Sequence, residues 1–244
     1  MLRTSRHPPP SQPRPFRRPA ATPLAALIFC LAGLAGLAGL AGAARAAEPA
    51  TSAPAALKIA FVGDSLTEGL GVTRAEAYPA VVERLLRDLG YDAAAINAGV
   101  SGATTAGAAQ KVRWALRARP ALIVLALGAN DMLRGLDSDL TRKNLSAGID
   151  EAQKAGVPIL LAGMKAAPNL GPGYRLRFER VFTDLAALRR VPLLPFLLEG
   201  VAAEASLNQP DGIHPNPLGH QAIARSVLRA ITPLLPPPPK RATP

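Results

Sequence analysis

The stretch that decides the fold reads Ile59-Ala60-Phe61-Val62-Gly63-Asp64-Ser65-Leu66-Thr67. Its first four residues are apolar and predict a buried strand, which the glycine ends. The strand therefore delivers Ser65 to the carboxyl edge of a sheet, where open α/β sheets present reactive groups. A helix-capping or turn serine fits the same position. Ser65 is thus a candidate nucleophile that needs a base and oxyanion donors from elsewhere in the chain.

Strands and amphipathic helices alternate along the rest of the chain. Apolar runs predict five strands, at residues 57–62, 93–97, 121–127, 157–163 and 191–195. Apolar residues at helical spacing, with glycine or proline near the boundaries, predict five helices, at 78–89, 104–118, 140–155, 174–188 and 217–231. This alternation is typical of an α/β fold in which a parallel sheet is covered by helices on both faces. Right-handed crossovers then place every strand-to-helix loop along one edge of the sheet.

Four of these loops carry residues that suit acyl transfer. Ser65 follows the first strand, Gly102 the second and Asn130 the third, while Asp211 and His214 precede the last helix. In acyl transfer an imidazole takes the serine proton, and a carboxylate holds the tautomer of the ring and stabilises the imidazolium. Because Asp211 and His214 are three residues apart, one turn can bring both side chains to the same site.

The oxyanion of such a reaction needs donors aimed at one point. The candidates are the backbone N–H of Ser65, the backbone N–H of Gly102 and the side-chain amide of Asn130. A turn-forming role for Gly102 and a capping role for Asn130 are open alternatives. Of the two histidines after residue 47, we predict His214 as the base, because His220 lies inside the last helix, off its apolar stripe, and is expected to be a solvated surface residue.

Together, four sequence blocks resemble the SGNH (GDSL) hydrolase family. They are Gly63-Asp64-Ser65-Leu66, Asn97–Thr105, Gly128-Ala129-Asn130-Asp131 and Asp211-Gly212-Ile213-His214-Pro215. A Gly-Asp-Ser-Leu motif alone is weak evidence, whereas four blocks in order, each beside a predicted strand end, are specific. The continuation Leu127–Leu136 is similar to the bacterial multifunctional esterase, thioesterase I and lysophospholipase L1 (arylesterase) group. The resemblance covers about residues 57–231.

This resemblance implies a fold and a set of residue roles. Such enzymes have a three-layer α/β/α sandwich of flavodoxin-like type and cleave esters or thioesters through an acyl-enzyme, with no metal or cofactor. Carried over to this chain, Ser65 is the nucleophile, His214 the base and Asp211 its orienting acid. Gly102 and Asn130 join the Ser65 N–H as oxyanion donors.

Two departures from the family pattern concern the substrate. The group usually has an acid where this chain has Ala103, and Leu170 replaces the tyrosine of a Pro-x-Asn-Tyr-Gly pattern. Both positions are near the expected acyl site, so the substrate preference is less well determined than the mechanism. Apolar loop residues supply the predicted acyl contacts, although each can also pack under its own loop: Met132, Leu133, Pro168 and Leu170.

The first 46 residues read as a secretory signal peptide. Residues 1–23 contain five arginines and no acid, residues 24–44 are an Ala/Leu/Gly run, and Ala44-Arg45-Ala46 fits a small-x-small cleavage site. A retained anchor is the alternative, because the apolar run approaches the length of a bilayer span. Removal of the leader would take the only cysteine and six of the 28 lysines and arginines but none of the 17 acids. The net charge would then fall from +11 to +5, which does not indicate a nucleic-acid partner.

The expected organisation is therefore a leader (1–46), an Ala/Pro/Ser linker (47–56), a hydrolase domain (57–232) and a loose proline-rich tail (233–244). The predicted activity is that of a periplasmic or secreted serine esterase, without a stable membrane span after cleavage near Ala46, acting on a small-molecule or lipid acyl ester. A carbohydrate O-deacetylase with the same machinery is one alternative. A non-catalytic flavodoxin-like protein that binds phosphate at the turn 63–67 is another.

Overall fold

The computed structural model describes residues 56–238; the predicted leader, nearly all of the linker and residues 239–244 lie outside the described part. The strands are β1 (Leu57–Gly63), β2 (Ala93–Gly99), β3 (Leu122–Ala126), β4 (Ile159–Ala162) and β5 (Leu193–Leu194). The α-helices are α1 (Ser65–Glu68), α2 (Tyr78–Asp88), α3 (Ala108–Leu116), α4 (Ala129–Leu133), α5 (Ser138–Lys154), α6 (Pro172–Arg189) and α7 (Pro217–Ile231). Short 3-10 turns cover Thr105–Gly107, Pro168–Leu170, Ala205–Leu207 and Thr232–Leu234.

All five strands form one parallel sheet in the order β2-β1-β3-β4-β5. From β1 the chain first moves outward to β2 and then returns past β1 to β3. This reversal is a topological switch point, and open α/β sheets bind ligands outside the carboxyl ends of the strands at such a point. The fold places the Ser65 loop there, directly after β1.

Helices cover both faces of the sheet. Neighbouring strand residues point to opposite faces, and the Phe61 ring meets the Tyr78 ring of α2 edge-on at 5.7 Å. On the other face Leu125 lies against Gly148 of α5. Helices α2 and α7 pack together in one layer, while α3, α5 and α6 form the other. The predicted three-layer α/β/α sandwich is therefore confirmed.

The structure adds two short helices, α1 and α4, to the five that the sequence predicts, and one of the five begins several residues later than predicted. Residues 105–107 form a 3-10 turn, so the helix expected from residue 104 begins as α3 at Ala108. The proline-rich tail was expected to be loose from residue 233, but this is wrong for its first residues. Residues 232–234 form a 3-10 turn, Leu234 and Leu235 pack against the core, and the Tyr91 hydroxyl donates to the Pro236 carbonyl at 3.0 Å.

His220 is also corrected, because it is a core residue and not a solvated one. Its side chain is 1% exposed, and its Nδ1 accepts a hydrogen bond from the Tyr78 backbone N–H at 3.2 Å. Tyr78 begins α2, and the first N–H groups of a helix have no acceptor within that helix. The imidazole supplies one from α7. The buried face of α7 runs through His220, Ile223 and Val227, whereas Leu218 is 56% exposed.

Within residues 56–238, no helix combines the length and the apolar character that crossing a bilayer requires.

Candidate active site

Ser65 begins α1 at the switch point of the sheet. Asp64 caps this helix, because its Oδ1 accepts the Leu66 backbone N–H at 3.1 Å. Ser65 itself is only 9% exposed, at the floor of an open cavity. As the first residue of the helix, its own N–H has no intrahelical acceptor and is free to serve as a donor to a ligand.

Asp211, His214 and Ser65 form a continuous hydrogen-bonded chain. His214 Nδ1 lies 2.7 Å from Asp211 Oδ2, and His214 Nε2 lies 3.0 Å from Ser65 Oγ. When Nδ1 carries the hydrogen donated to the carboxylate, Nε2 is the unprotonated nitrogen and accepts from the serine hydroxyl. The three residues that the sequence predicted for proton transfer are thus brought together in the required order.

The Asp211 carboxylate is held by its own turn. Its Oδ1 accepts the backbone N–H groups of Ile213 and His214, each at 2.9 Å, while Oδ2 faces the imidazole. These hydrogen bonds lower the pKa of Asp211 to about 2, the backbone N–H of His214 contributing most, then its ring and then the N–H of Ile213. The carboxylate is consequently ionised at neutral pH, and its second oxygen is committed to one orientation of the ring.

Gly102 and Asn130 line the same cavity as Ser65. Gly102 lies in the loop after β2, and Asn130 lies in the first turn of α4, directly after β3. The Asn130 Nδ2 donates one hydrogen to the Ala103 carbonyl at 3.1 Å, which fixes the side chain, and the amide carries a second hydrogen. The sequence predicted this convergence of three loops, and the structure contains it.

Asp64, the residue directly before Ser65, is a buried carboxylic acid. Its side chain is fully inaccessible, and no hydrogen-bond partner for Oδ2 is found within residues 56–238. Burial raises the pKa of Asp64 to about 6, although the Leu66 N–H, its own backbone, the Asn130 amide and the charge of His214 oppose that rise. The sequence indicated its place in the motif but not this environment.

The cavity next to Ser65 has a volume of about 560 Å³ and a mostly apolar lining. Of the predicted acyl contacts, Met132, Leu133 and Pro168 lie in its wall. Leu170 is not one of the residues that line it; Leu170 packs half-buried against the hydrophobic core.

Another part of the cavity wall was not predicted from the sequence. It comes from residues 196–203, between β5 and the 3-10 turn Ala205–Leu207, and includes Phe196, Leu198, Ala202 and Ala203. The Lys165 ammonium lies 4.9 Å from the centre of the Phe196 ring and pairs with Glu199 at 3.2 Å. The sequence feature that could have indicated this wall is the run Pro195–Leu198, which is too apolar for an ordinary solvated loop.

The sequence profile of the GDSL-like Lipase/Acylhydrolase family matches residues 61–222. The chain belongs to this family. The match begins within β1 and ends within α7, so it includes every loop that contributes to the site.

Other members of the GDSL-like family resemble the chain over most of its length. Esterase TesA of Pseudomonas aeruginosa is 37% identical over 76% of this chain and 92% of its own length. Thioesterase 1/protease 1/lysophospholipase L1 of Escherichia coli strain K12 is 32% identical over 75% of this chain and 87% of its own length. The crystal structure of AlinE4, an SGNH-hydrolase family esterase, superposes with a TM-score of 0.63 at 40% identity, covering 76% of this chain and all of AlinE4.

Membership of this hydrolase family makes the chain an enzyme that cleaves ester bonds and sets aside a purely ligand-binding role for the flavodoxin-like sheet. In the part of the chain that the structure describes, no group of three or more His, Cys, Asp or Glu side chains is positioned to hold a metal ion.

Proposed function

We propose that this protein is an exported serine esterase that cleaves carboxylic esters or thioesters through an acyl-enzyme. The observation that carries the proposal is the chain of contacts from Asp211 Oδ2 through His214 to Ser65 Oγ, at 2.7 and 3.0 Å. Such a chain gives a serine hydroxyl the base that it needs to act as a nucleophile.

In the proposed acylation step, Ser65 Oγ forms a bond to the acyl carbon while its proton moves to His214 Nε2. The carbonyl oxygen becomes an oxyanion that accepts hydrogen bonds from the N–H groups of Ser65 and Gly102 and from the Asn130 amide. Asp211 stabilises the imidazolium. Collapse of the intermediate breaks the bond to the leaving alcohol or thiol, which takes the proton from His214.

In deacylation, His214 takes a proton from water as the water oxygen attacks the acyl carbon. The same donors hold the second oxyanion, and its collapse breaks the bond to Ser65 Oγ. The proton on His214 returns to this oxygen, which restores the serine hydroxyl and releases the carboxylic acid.

The apolar cavity wall favours an acyl chain over a bare acetyl group. The lining residues Met132, Leu133, Pro168, Phe196 and Leu198 offer contacts that an acetyl group is too short to use. A carbohydrate O-deacetylase would have no use for these surfaces. Export is supported by the composition of residues 1–46, which predicts a signal peptide and a periplasmic or secreted enzyme.

The test is an ester and thioester panel that varies only the acyl chain, from acetyl to long-chain p-nitrophenyl esters and the corresponding thioesters. We expect kcat/KM to rise with chain length until the cavity is filled, and Ser65→Ala to abolish nearly all turnover. Turnover by Ser65→Ala at the wild-type rate would refute the nucleophile. Activity confined to acetyl esters would instead favour the deacetylase. Fractionation of cells expressing the full chain, with N-terminal sequencing of the product, tests export and cleavage near Ala46.

A further inference from the structure

The loop that carries Gly102 is tied to the helix that carries Ser65 by a carboxylate. Glu68 is the last residue of α1, and its Oε2 accepts the Ser101 backbone N–H at 2.7 Å. The Ser101 hydroxyl donates to the same oxygen. One side chain therefore holds the residue directly before Gly102 by two hydrogen bonds.

The backbones of α1 and this loop are also in close contact. A Cβ atom at Gly99 would lie 2.2 Å from the Glu68 backbone nitrogen, so a side chain at position 99 would push the two segments apart. The Asn97 Nδ2 donates to the Thr67 carbonyl at 2.8 Å, and its Oδ1 accepts the Gly99 N–H at 2.9 Å. These contacts place the start of the loop, and Glu68 extends the attachment to its tip.

The tip is a tight turn whose type decides where the Gly102 N–H points. The Ala103 N–H donates to the Val100 carbonyl at 3.1 Å, Gly102 has φ +74, and Ser101 has no positive φ. This combination defines a type II turn over residues 100–103. In a type I turn the peptide between Ser101 and Gly102 would be rotated by roughly 150–170°, and the Gly102 N–H would face the opposite side.

We infer that Glu68 is a positioning residue for the oxyanion hole, acting through Ser101 on the Gly102 N–H. This inference rests on the proposed acyl-enzyme mechanism and deepens it. Glu68 is exposed and three residues from the nucleophile, and it takes no part in the hydrogen-bonded chain from Asp211 to Ser65. Its contribution is to keep the donor on the loop at a fixed distance from the nucleophile on the helix.

Arg134 holds the other side of the same turn. Its Nη2 donates to the Gly102 carbonyl at 3.1 Å, from the end of α4 next to Asn130. Glu68 of α1 and Arg134 at the end of α4 therefore form hydrogen bonds to successive residues of the turn, Ser101 and Gly102. The Val100 N–H also donates to the Gly63 carbonyl at 3.2 Å, and Asn130 holds the Ala103 carbonyl, so the two ends of the turn stay attached without Glu68. Loss of the Glu68 contact removes the anchor of Ser101, and the peptide between Ser101 and Gly102 can then shift relative to Ser65.

The experiment compares Glu68→Ala and Glu68→Gln in the full-length protein. The glutamine Oε1 can still accept from both Ser101 donors, whereas alanine cannot. The matched control is Glu76→Ala, because Glu76 holds the backbone N–H and hydroxyl of Thr73 in the same way, on the surface and away from the cavity. Each variant is assayed for kcat and KM on a p-nitrophenyl ester and for binding of a trifluoromethyl ketone, whose serine adduct carries an oxyanion.

We expect Glu68→Ala to lower kcat roughly ten- to a hundredfold and to weaken trifluoromethyl ketone binding by a similar factor, because a donor displaced by about 1 Å stabilises the transition state poorly. KM and the midpoint of thermal unfolding should change little. Glu68→Gln should recover most of kcat, and Glu76→Ala should match the wild type. A general loosening of the fold would lower the unfolding midpoint and would not be rescued by glutamine.

The inference is overturned if Glu68→Ala keeps kcat within about twofold of wild type, if its loss appears in KM alone, or if glutamine fails to restore turnover. Ser65→Ala, assayed in parallel, separates this failure from that of the proposed function. Turnover by Ser65→Ala refutes the acyl-enzyme itself, whereas an inactive Ser65→Ala beside a fully active Glu68→Ala refutes only the role of Glu68.

Discussion

The buried imidazole of His220 should make the folding stability depend on pH in a way that one substitution removes. Its Nδ1 must stay unprotonated to accept the Tyr78 N–H, and burial lowers the pKa of His220 to about 4, with the charge of His214 adding to this and Glu76 opposing it. Above pH 6.5, the pKa of His220 in the unfolded chain, the imidazole is neutral in both the folded and the unfolded protein, so the full stability is present. As the pH falls towards 4 the unfolded chain binds a proton that the folded chain does not. This lowers the free energy of unfolding by about 3 kcal/mol.

Asp64 acts with the opposite sign and partly hides this loss in the wild type. Its folded pKa is about 6 against 3.8 when unfolded, so between these values the folded chain binds a proton that the unfolded chain does not. Lowering the pH from neutral to about 4 therefore adds about 2 kcal/mol of stability through Asp64. The two contributions partly cancel, so the pair should lower the free energy of unfolding of the wild type by only about 1 kcal/mol between neutral pH and about pH 4.

Replacement His220→Gln removes the titration and keeps an oxygen that can accept the Tyr78 N–H. Urea denaturation of wild type and variant, measured from about pH 7 to about pH 4, gives the free energy of unfolding at each pH. We subtract the free energy of unfolding of the wild type from that of the variant at each pH. This difference should increase by about 3 kcal/mol as the pH is lowered from about 7 to about 4. Asp64→Asn serves as the control, since its difference should move the other way. A His220→Gln difference that does not change with pH would refute the assignment of His220 as a buried neutral group.

Three further substitutions test the site and the core. Gly102→Ala should lower kcat by about a hundredfold or more, because alanine disfavours φ +74 and the turn then loses its orientation. Gly102→Asn should lower kcat less, because asparagine tolerates a positive φ better than alanine does. Crowding does not explain such a difference in steady-state kinetics, since a Cβ at position 102 meets only Arg134 Nη2, at 3.8 Å. Asp211→Asn should lower kcat by about four orders of magnitude with the fold intact, because an amide can hold the wrong tautomer of His214; a loss below about tenfold would contradict this role. Phe61→Ala should lower the free energy of unfolding, measured by urea denaturation, by about 3–5 kcal/mol, since the ring is fully buried against Tyr78. A decrease below about 1 kcal/mol would show that the core closes around the cavity.

The fold was largely predictable because its signals are local. Each strand is a short apolar run, each long helix has an apolar stripe, and the chain alternates between them, so the parallel sheet and its carboxyl edge follow from general rules. The convergence of Ser65, Gly102, Asn130 and His214 follows from the same rules. The alternation of strands and helices does not predict the conformation of segments without a periodic pattern. Residues 196–203 belong to such a segment and form part of the cavity wall.

Residues whose environment is set by a distant partner were also not predictable. The sequence pattern places His220 on the wrong face of α7, because a stripe through Leu218, Ala222, Ile223 and Val227 leaves it outside. Ile223 and Val227 are buried as this stripe predicts, but Leu218 is exposed and His220 is buried with them. A polar residue on a buried face becomes favourable only when a partner satisfies it, and here the partner is a backbone N–H 142 residues earlier in the chain. Leu170 shows the reverse case: its motif position suggested a substrate contact, but the structure packs it against the core.

The register of the sheet explains why the segments that carry Ser65 and Gly102 leave the sheet at the same level. Gly63 at the end of β1 pairs with Gly99 of β2, and with Ala126 of β3 on the other side. Ser65 and Ser101 each lie two residues beyond their paired glycines, so the first turn of α1 and the turn that holds Gly102 leave the sheet edge together. A slip of one residue between β1 and β2 would turn the buried side chains of β2 to the other face and move Ser101 out of reach of Glu68. The apolar patterns that fix the core therefore also fix how far Ser65 lies from the turn that holds Gly102, the two groups assigned here to the proposed acyl transfer.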